Sequence, residues 1–181
     1  MADPAEIISC YLQAKDCNRP WMMQKVFKES ACLQMENASG AISFPSDAVG
    51  VDEISRILVR QFALENENVY TVCLSAAPVG RTEHFNCDWL VAMSRRDTGE
   101  VRVGSGQYSW AFEPAPHILA NYLKISIEVM VLLAEEHSES VMVWMSGLSH
   151  PWCSVSAAHA DIPDLHDLKP ISDFLNARTK H

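Results

Sequence analysis

His84, Asn86 and Asp88 are the residues of this chain whose types and spacing best suit acid-base chemistry. They alternate along one predicted strand, and successive side chains of a strand point to opposite faces, so all of them share one face. A histidine and a carboxylate on one face would form a proton-transfer pair. We therefore predict His84 and Asp88 as catalytic residues.

The opposite face of the same predicted strand is apolar. It carries Phe85, Cys87, Trp89, Val91 and Met93. An apolar face is the more natural lining of a buried cavity, so two interpretations remain open. Asp88 either enters a pocket as an acid or faces solvent on the outer side of the sheet.

Aromatic side chains supply the candidate walls of a pocket. We predict as substrate-binding the residues Tyr11, Trp89, Tyr108 and Trp110. Gly104 and Gly106 share the alternation of Tyr108, and their missing side chains leave room beside an aromatic wall. The expected ligand is a small apolar or aromatic molecule, and plain core packing is the alternative for these residues.

Most of these residues belong to one long predicted hairpin. Residues 85–93 and 101–112 alternate apolar and polar side chains, and Asp97, Thr98 and Gly99 between them have the chemistry of a turn. The hairpin therefore forms the centre of the predicted sheet.

The other elements are assigned from periodicity and from breaks at Pro and Gly. Predicted helices cover residues 5–16, 21–29, 50–65, 141–148 and 170–178, and further strands cover 31–36, 41–44, 69–77 and 122–132. Asp47 is assigned to a loop. The last strand has a continuous apolar side formed by Leu123, Ile125, Ile127, Val129 and Val131.

Composition excludes several classes of function. The 181 residues are 48% hydrophobic and 20% charged, which suits one globular domain with a sizeable core. The net charge of −9 disfavours a nucleic-acid partner, because phosphate binding depends on clustered Lys and Arg.

The cysteines are scattered, no leader pattern opens the chain, and no apolar run reaches about 18 residues. We therefore expect a cytoplasmic protein with reduced thiols and no membrane span. The spacing of His150, Cys153, His159, Asp161 and His166 matches no closed metal site, so we predict none.

Helices followed by a run of antiparallel strands favour the α+β class. Residues 21–27, the opening of the third helix at 50–54 and the strands from 69 to 131 resemble the cystatin-like cone fold of the nuclear transport factor two-like superfamily, especially its SnoaL-like members. The resemblance implies N-terminal helices packed in the concave face of a strongly curved, mainly antiparallel sheet with a pocket. It assigns residues 1–134 to this cone and 135–181 to a C-terminal helical extension packed on the same domain.

The resemblance also implies a function. Its first implication is an enzyme that isomerises, dehydrates or cyclises a small molecule by acid-base chemistry without a cofactor. The alternative is a non-catalytic ligand-binding or dimeric assembly module, and a third reading is a subunit of a ring-hydroxylating dioxygenase. A homodimer through the outer side of the sheet is expected.

Overall fold

The structure is a computed structural model that describes residues 3–39, 45–114 and 118–179. The α-helices are α1 (Pro4–Asp16), α2 (Val51–Ser55), α3 (Phe62–Glu65), α4 (Ser138–Gly147), α5 (Val155–Ala160) and α6 (Lys169–Arg178). The strands are β1 (Phe27–Asn37), β2 (Asp47–Val49), β3 (Asn66–Cys73), β4 (His84–Arg95), β5 (Val101–Phe112) and β6 (Ala120–Leu133). Short 3-10 helices cover Pro20–Lys25, Glu135–His137 and His166–Leu168.

The strands form one six-stranded sheet in the order β2-β1-β6-β5-β4-β3. Every neighbouring pair is antiparallel except β1 and β6, which run parallel. The sheet is curved and unclosed, and the N-terminal helices pack in its concave face. The predicted α+β fold class is confirmed.

Helix α1 begins where the sequence predicts a cap. The Asp3 carboxylate accepts a hydrogen bond from the Glu6 amide at 2.9 Å, the Glu6 carboxylate accepts one from the Asp3 amide at 3.2 Å, and Pro4 opens the first turn. This reciprocal capping box satisfies two amides that a helix start otherwise leaves unpaired. The apolar stripe of α1, including Ile7 and Ile8, then lies buried against the concave side of the sheet.

A π-helix over Arg56–Gln61 joins α2 to α3. π-helical turns are rare and often occur at functional sites. In this protein the wide turn and the residue after it present Ile57, Gln61 and Phe62 to the interior of the cone. The segment thus forms one wall of the candidate site.

Strand β6 contains a bulge that the sequence pattern does not reveal. Ser105 pairs with Val129, and the next residue, Gly106, pairs with Ile127. Glu128 is therefore an extra residue on β6. A bulge of this kind shifts the alternation of side chains by one residue.

The prediction of one continuous apolar side on β6 is wrong for this reason. Ile127 and Met130 both face the concave side, although they are three residues apart. Val129 and Val131 instead pack in a second core on the outer side of the sheet. One strand therefore supplies apolar side chains to both cores.

The C-terminal helices build that second core. Trp144 of α4 and Phe174 of α6 pack with sheet residues Val72, Leu90 and Val103. These helices cover part of the outer face, so a homodimer through this face would have to use the part that they leave open. The domain boundary predicted at residues 134 and 135 falls between β6 and these helices.

Several local predictions are wrong. The second helix is only a 3-10 helix, and Phe27 already begins β1. Asp47 belongs to strand β2 instead of a loop, and α5 forms between the predicted helices at 141–148 and 170–178, where no element is predicted. The strand predicted over residues 41–44 lies outside the described residues.

Candidate functional site

The concave side of the sheet encloses a cavity of about 180 Å³. Its apolar wall is formed by Met35, Pro45, Ile57, Leu58, Phe62, Trp89, Val91, Met93, Ile125, Ile127 and Met130. Its polar side chains come from Tyr11, Lys15, Gln61, Glu65, Asn66, Arg102 and Tyr108. A mainly apolar cavity with a few polar groups is the usual composition of a small-molecule site.

Tyr11 and Tyr108 place two phenols side by side at this cavity. Their ring centroids are 5.9 Å apart, and the rings meet edge to face. The Tyr11 hydroxyl is sealed from solvent, and the Tyr108 hydroxyl lies beside it in a contact that falls short of regular hydrogen-bond geometry.

Both phenols stay protonated at neutral pH. Burial raises the pKa of Tyr11 well above that of a free tyrosine, and the neighbouring Tyr108 hydroxyl opposes this rise more weakly. Burial and the proximity of Tyr11 raise the pKa of Tyr108 well above its ordinary value. Neutral phenols can donate hydrogen bonds to an acceptor oxygen.

Trp89 lines the cavity beside these phenols. Its ring stacks on Tyr108 with centroids 5.6 Å apart. Its indole N–H is buried and finds no acceptor among the residues that the structure describes. Since buried indole N–H groups usually have a partner, Trp89 adds an unpaired donor near the cavity.

Trp110 lies outside the lining of the cavity. It is 1% exposed and packs against Tyr11, Phe27 and Phe112, with ring centroids 5.2 to 5.9 Å away. The structure thus brings Tyr11, Trp89 and Tyr108 together at the cavity and puts Trp110 in the core behind them.

The expectation that Asp88 and His84 enter the cavity is wrong. The apolar residues of β4, such as Trp89 and Val91, face the cavity, and Asp88 and His84 lie on the opposite face of the sheet. His84 is exposed. The Asp88 carboxylate forms an ion pair with Arg178, in which Oδ2 lies 3.0 Å from Nε. The strand follows its apolar pattern, and on the outer face the ion pair with Arg178 offsets the partial burial of the Asp88 carboxylate, which is 21% exposed.

The prediction that Gly104 and Gly106 leave open space beside the aromatic wall is wrong. A Cβ at Gly104 would meet the terminal methyl of Met130 at 2.4 Å, and one at Gly106 would meet the Ser126 carbonyl oxygen at 1.9 Å and Trp89 at 2.8 Å. Neighbouring atoms therefore already fill the room that these glycines provide.

Lys15 is a cavity residue to which sequence reasoning gave no role. Its amine donates to the Asp16 carboxylate at 2.5 Å and to the Thr71 hydroxyl at 2.8 Å, and Asp16 also accepts from the Thr71 amide at 2.8 Å. The buried charge of Lys15 is therefore matched by an adjacent carboxylate.

Arg102 is the second cation that sequence reasoning missed. It has the same alternation on β5 as Tyr108, which is a signal that could have identified it. The side chains from α3 and the π-helix were missed because helical spacing around Phe62 and Glu65 is equally typical of core packing.

Within the described ranges, no group of three or more His, Cys, Asp or Glu side chains is placed to hold a metal ion. No helix in these ranges combines the length and the apolar character needed to cross a membrane.

Comparison with solved structures finds the same fold in proteins of low sequence identity. A nuclear transport factor 2-like superfamily protein from Salmonella enterica is 19% identical, with a TM-score of 0.54, and the match covers 69% of this chain and 88% of that one. The hexachlorocyclohexane dehydrochlorinase LinA-type3 from Novosphingobium barchaimii is 11% identical, with a TM-score of 0.56 and coverage of 71% and 86%.

A protein of ketosteroid isomerase-like fold from Catenulispora acidiphila, in complex with trimethylamine, is 14% identical, with a TM-score of 0.51 and coverage of 68% and 85%. No protein-family profile and no curated protein matches the sequence. At these identities the likeness concerns the fold and leaves the activity open. The curved sheet, the helices in its concave face and these matches agree: the chain has the nuclear transport factor 2-like fold.

Proposed function

We propose that this chain binds a small, largely apolar molecule in its cavity and holds an acceptor oxygen of that molecule against the hydroxyl of Tyr108, with Tyr11 behind it. The observation that carries the proposal is the pair of neutral phenols in an otherwise apolar wall. A buried donor without a partner costs about 1 to 3 kcal/mol, and a ligand acceptor would recover part of this cost.

The alternative, that these aromatic side chains only fill the core, explains less. Tyrosine and tryptophan groups buried for packing normally find hydrogen-bond partners. The Trp89 indole N–H lacks one among the described residues, as does the indole N–H of Trp110 in the core behind the cavity, and the Tyr11 hydroxyl has the Tyr108 hydroxyl as its neighbour. Trp89 and the two phenols are the donors of this group that line the cavity, and they are the ones that favour a ligand.

The volume of the cavity limits the size of the ligand. An apolar cavity of about 150 Å³ is known to admit benzene. A cavity of about 180 Å³ therefore suits a molecule with one substituted ring. A phenyl ring with a short carbonyl-bearing chain, such as benzylacetone, fits this description.

Binding without a reaction is the function we favour over acid-base catalysis. A catalytic base must reach the proton that it removes. Among the ionisable cavity residues, Lys15 is paired with Asp16, and Glu65 is exposed. The phenols of Tyr11 and Tyr108 are donors at neutral pH.

The test is a titration of the protein with benzylacetone in which calorimetry measures the binding affinity. We expect Tyr108→Phe to weaken binding by about threefold to tenfold, because one net hydrogen bond contributes about 0.5 to 1.5 kcal/mol. Val91→Phe, which fills the cavity from β4, is expected to abolish binding. Val143→Phe is the matched control, because Val143 is 67% exposed on α4. Binding that survives Val91→Phe would place the ligand elsewhere and refute the proposal.

Asp88→Asn is expected to leave the affinity for benzylacetone unchanged, because Asp88 lies on the outer face of the sheet. It removes the charge that pairs with Arg178 in a contact where both side chains are less than a quarter exposed, so we expect the free energy of unfolding to fall by about 1 to 3 kcal/mol. Urea denaturation measures this change beside the titration. Loss of binding without loss of stability would restore the functional role predicted from the sequence.

A further inference from the structure

We propose that the cavity selects an anionic ligand, whose carboxylate binds Arg102 while its aromatic body lies against Trp89 and a second acceptor oxygen meets the Tyr108 hydroxyl. This inference rests on the proposed function and specifies its ligand class. It starts from the uneven distribution of polar groups, since one end of the cavity is lined by Gln61, Glu65, Asn66 and Arg102.

The guanidinium of Arg102 is largely unsatisfied. Arg102 is half-buried at the cavity, and Nη1 donates one long hydrogen bond of 3.4 Å to Oδ1 of Asn66. A guanidinium carries five N–H donors in a planar fork that matches a carboxylate. Most of this capacity is therefore available to a ligand.

No carboxylate of the described residues lies within 4.0 Å of the Arg102 guanidinium. Residues 40–44 and 115–117, which lie outside the described ranges, contain no Asp or Glu. In contrast, Arg95, Arg96 and Arg178 each form an ion pair. Arg102, which lines the cavity, has no such partner among the described residues.

Asn66 positions this guanidinium. Asn66 is 4% exposed, and its amide Nδ2 donates to the carbonyl oxygen of Phe62 at 2.9 Å. This bond fixes the amide at the end of α3 and turns Oδ1 toward Arg102. A fixed acceptor on one Nη1 orients the fork before any ligand arrives, which lowers the entropy lost on binding.

The other charged side chains that line the cavity form no ion pair with Arg102. The Lys15 amine pairs with Asp16, and the exposed Glu65 carboxylate lies more than 4.0 Å from the Arg102 guanidinium. Arg102 therefore contributes to a largely apolar cavity a positive charge that no carboxylate of the described residues pairs with directly. In such surroundings a carboxylate gains more from pairing than it does in water.

The experiment compares 3-benzoylpropionate, which carries a ketone and a carboxylate, with its neutral analogue 3-benzoylpropionamide by calorimetry at pH 7. We expect the wild type to bind the carboxylate about tenfold or more tightly than the amide. Arg102→Met should remove this preference while changing amide affinity by less than about twofold. Arg102→Lys, which keeps the charge and loses the fork, should retain part of the preference.

Arg56→Met is the matched control, because Arg56 is exposed, pairs with Glu53 at the surface and should leave the preference intact. A wild type that binds both probes equally, or an Arg102→Met variant that keeps the preference, would overturn the proposal. If benzylacetone still binds in that case, only the anionic class fails. If neither benzylacetone nor either of the two probes binds, the proposed function is refuted together with the anionic ligand class.

Discussion

Gly106→Ala is expected to lower the free energy of unfolding by about 3 kcal/mol or more, a large effect for the addition of one methyl group. The new Cβ would lie 1.9 Å from the carbonyl oxygen of Ser126 on the neighbouring strand. That oxygen belongs to the backbone of β6 next to the Glu128 bulge, so it cannot rotate away. The two central strands would have to separate.

Gly104→Ala is the matched control for this prediction. A Cβ at Gly104 would meet the terminal methyl and the sulfur of Met130, which lie at the flexible end of a side chain. Met130 can adopt another rotamer, so we expect a loss of about 1 kcal/mol. Urea denaturation of both variants measures the difference. Equal losses would mean that the close approach at Ser126 does not constrain β5.

Trp144→Ala is expected to cost about 3 to 5 kcal/mol, because it removes the largest side chain of the outer core. Trp144 is 4% exposed, and its indole N–H donates to the carbonyl oxygen of Ala158 at 3.0 Å. The substitution leaves a cavity between α4 and the sheet. It also breaks the hydrogen bond that ties α4 to α5.

Trp21→Ala provides the comparison for Trp144→Ala. Trp21 is 64% exposed, and the Lys25 ammonium lies 4.6 Å from the centroid of its ring. An exposed cation-π contact contributes about 0.5 to 1 kcal/mol. Thermal unfolding of both variants should therefore show a large decrease in Tm for Trp144→Ala and a small one for Trp21→Ala. Similar decreases would show that the C-terminal helices contribute little to the stability of the sheet.

Much of the architecture could be predicted because alternation and capping are local. The alternation of residues 85–93 fixes which side chains of β4 share a face, and Asp3 with Pro4 marks the start of α1. The order of the elements then indicates the α+β class. These features depend on few distant contacts.

The site could be predicted only in part, because it depends on which face meets the cavity. Alternation groups Asp88 with His84, yet it cannot tell the inner side of a sheet from the outer side. A second core under α4 and α6 makes both faces of β4 partly apolar, which weakens the distinction further. In the sequence, Arg102 looks like an ordinary surface charge, and the structure places it in the lining of the cavity.

The bulge at Glu128 sets which side chains in the last part of β6 face the cavity and which face the outer core. Simple alternation counted from Ile127 would place Val129 in the cavity and Met130 on the outer face. Because of the bulge, Met130 lines the cavity and Val129 packs in the outer core. Loss of Glu128 would close the bulge and leave Val129 and Met130 on their present faces, because the pairs Gly106–Ile127 and Ser105–Val129 would then follow each other regularly. Insertion of one residue between Val129 and Met130 would instead turn Met130 out of the cavity and Val131 into it. A change of length beyond the bulge would therefore alter the cavity and the outer core at once.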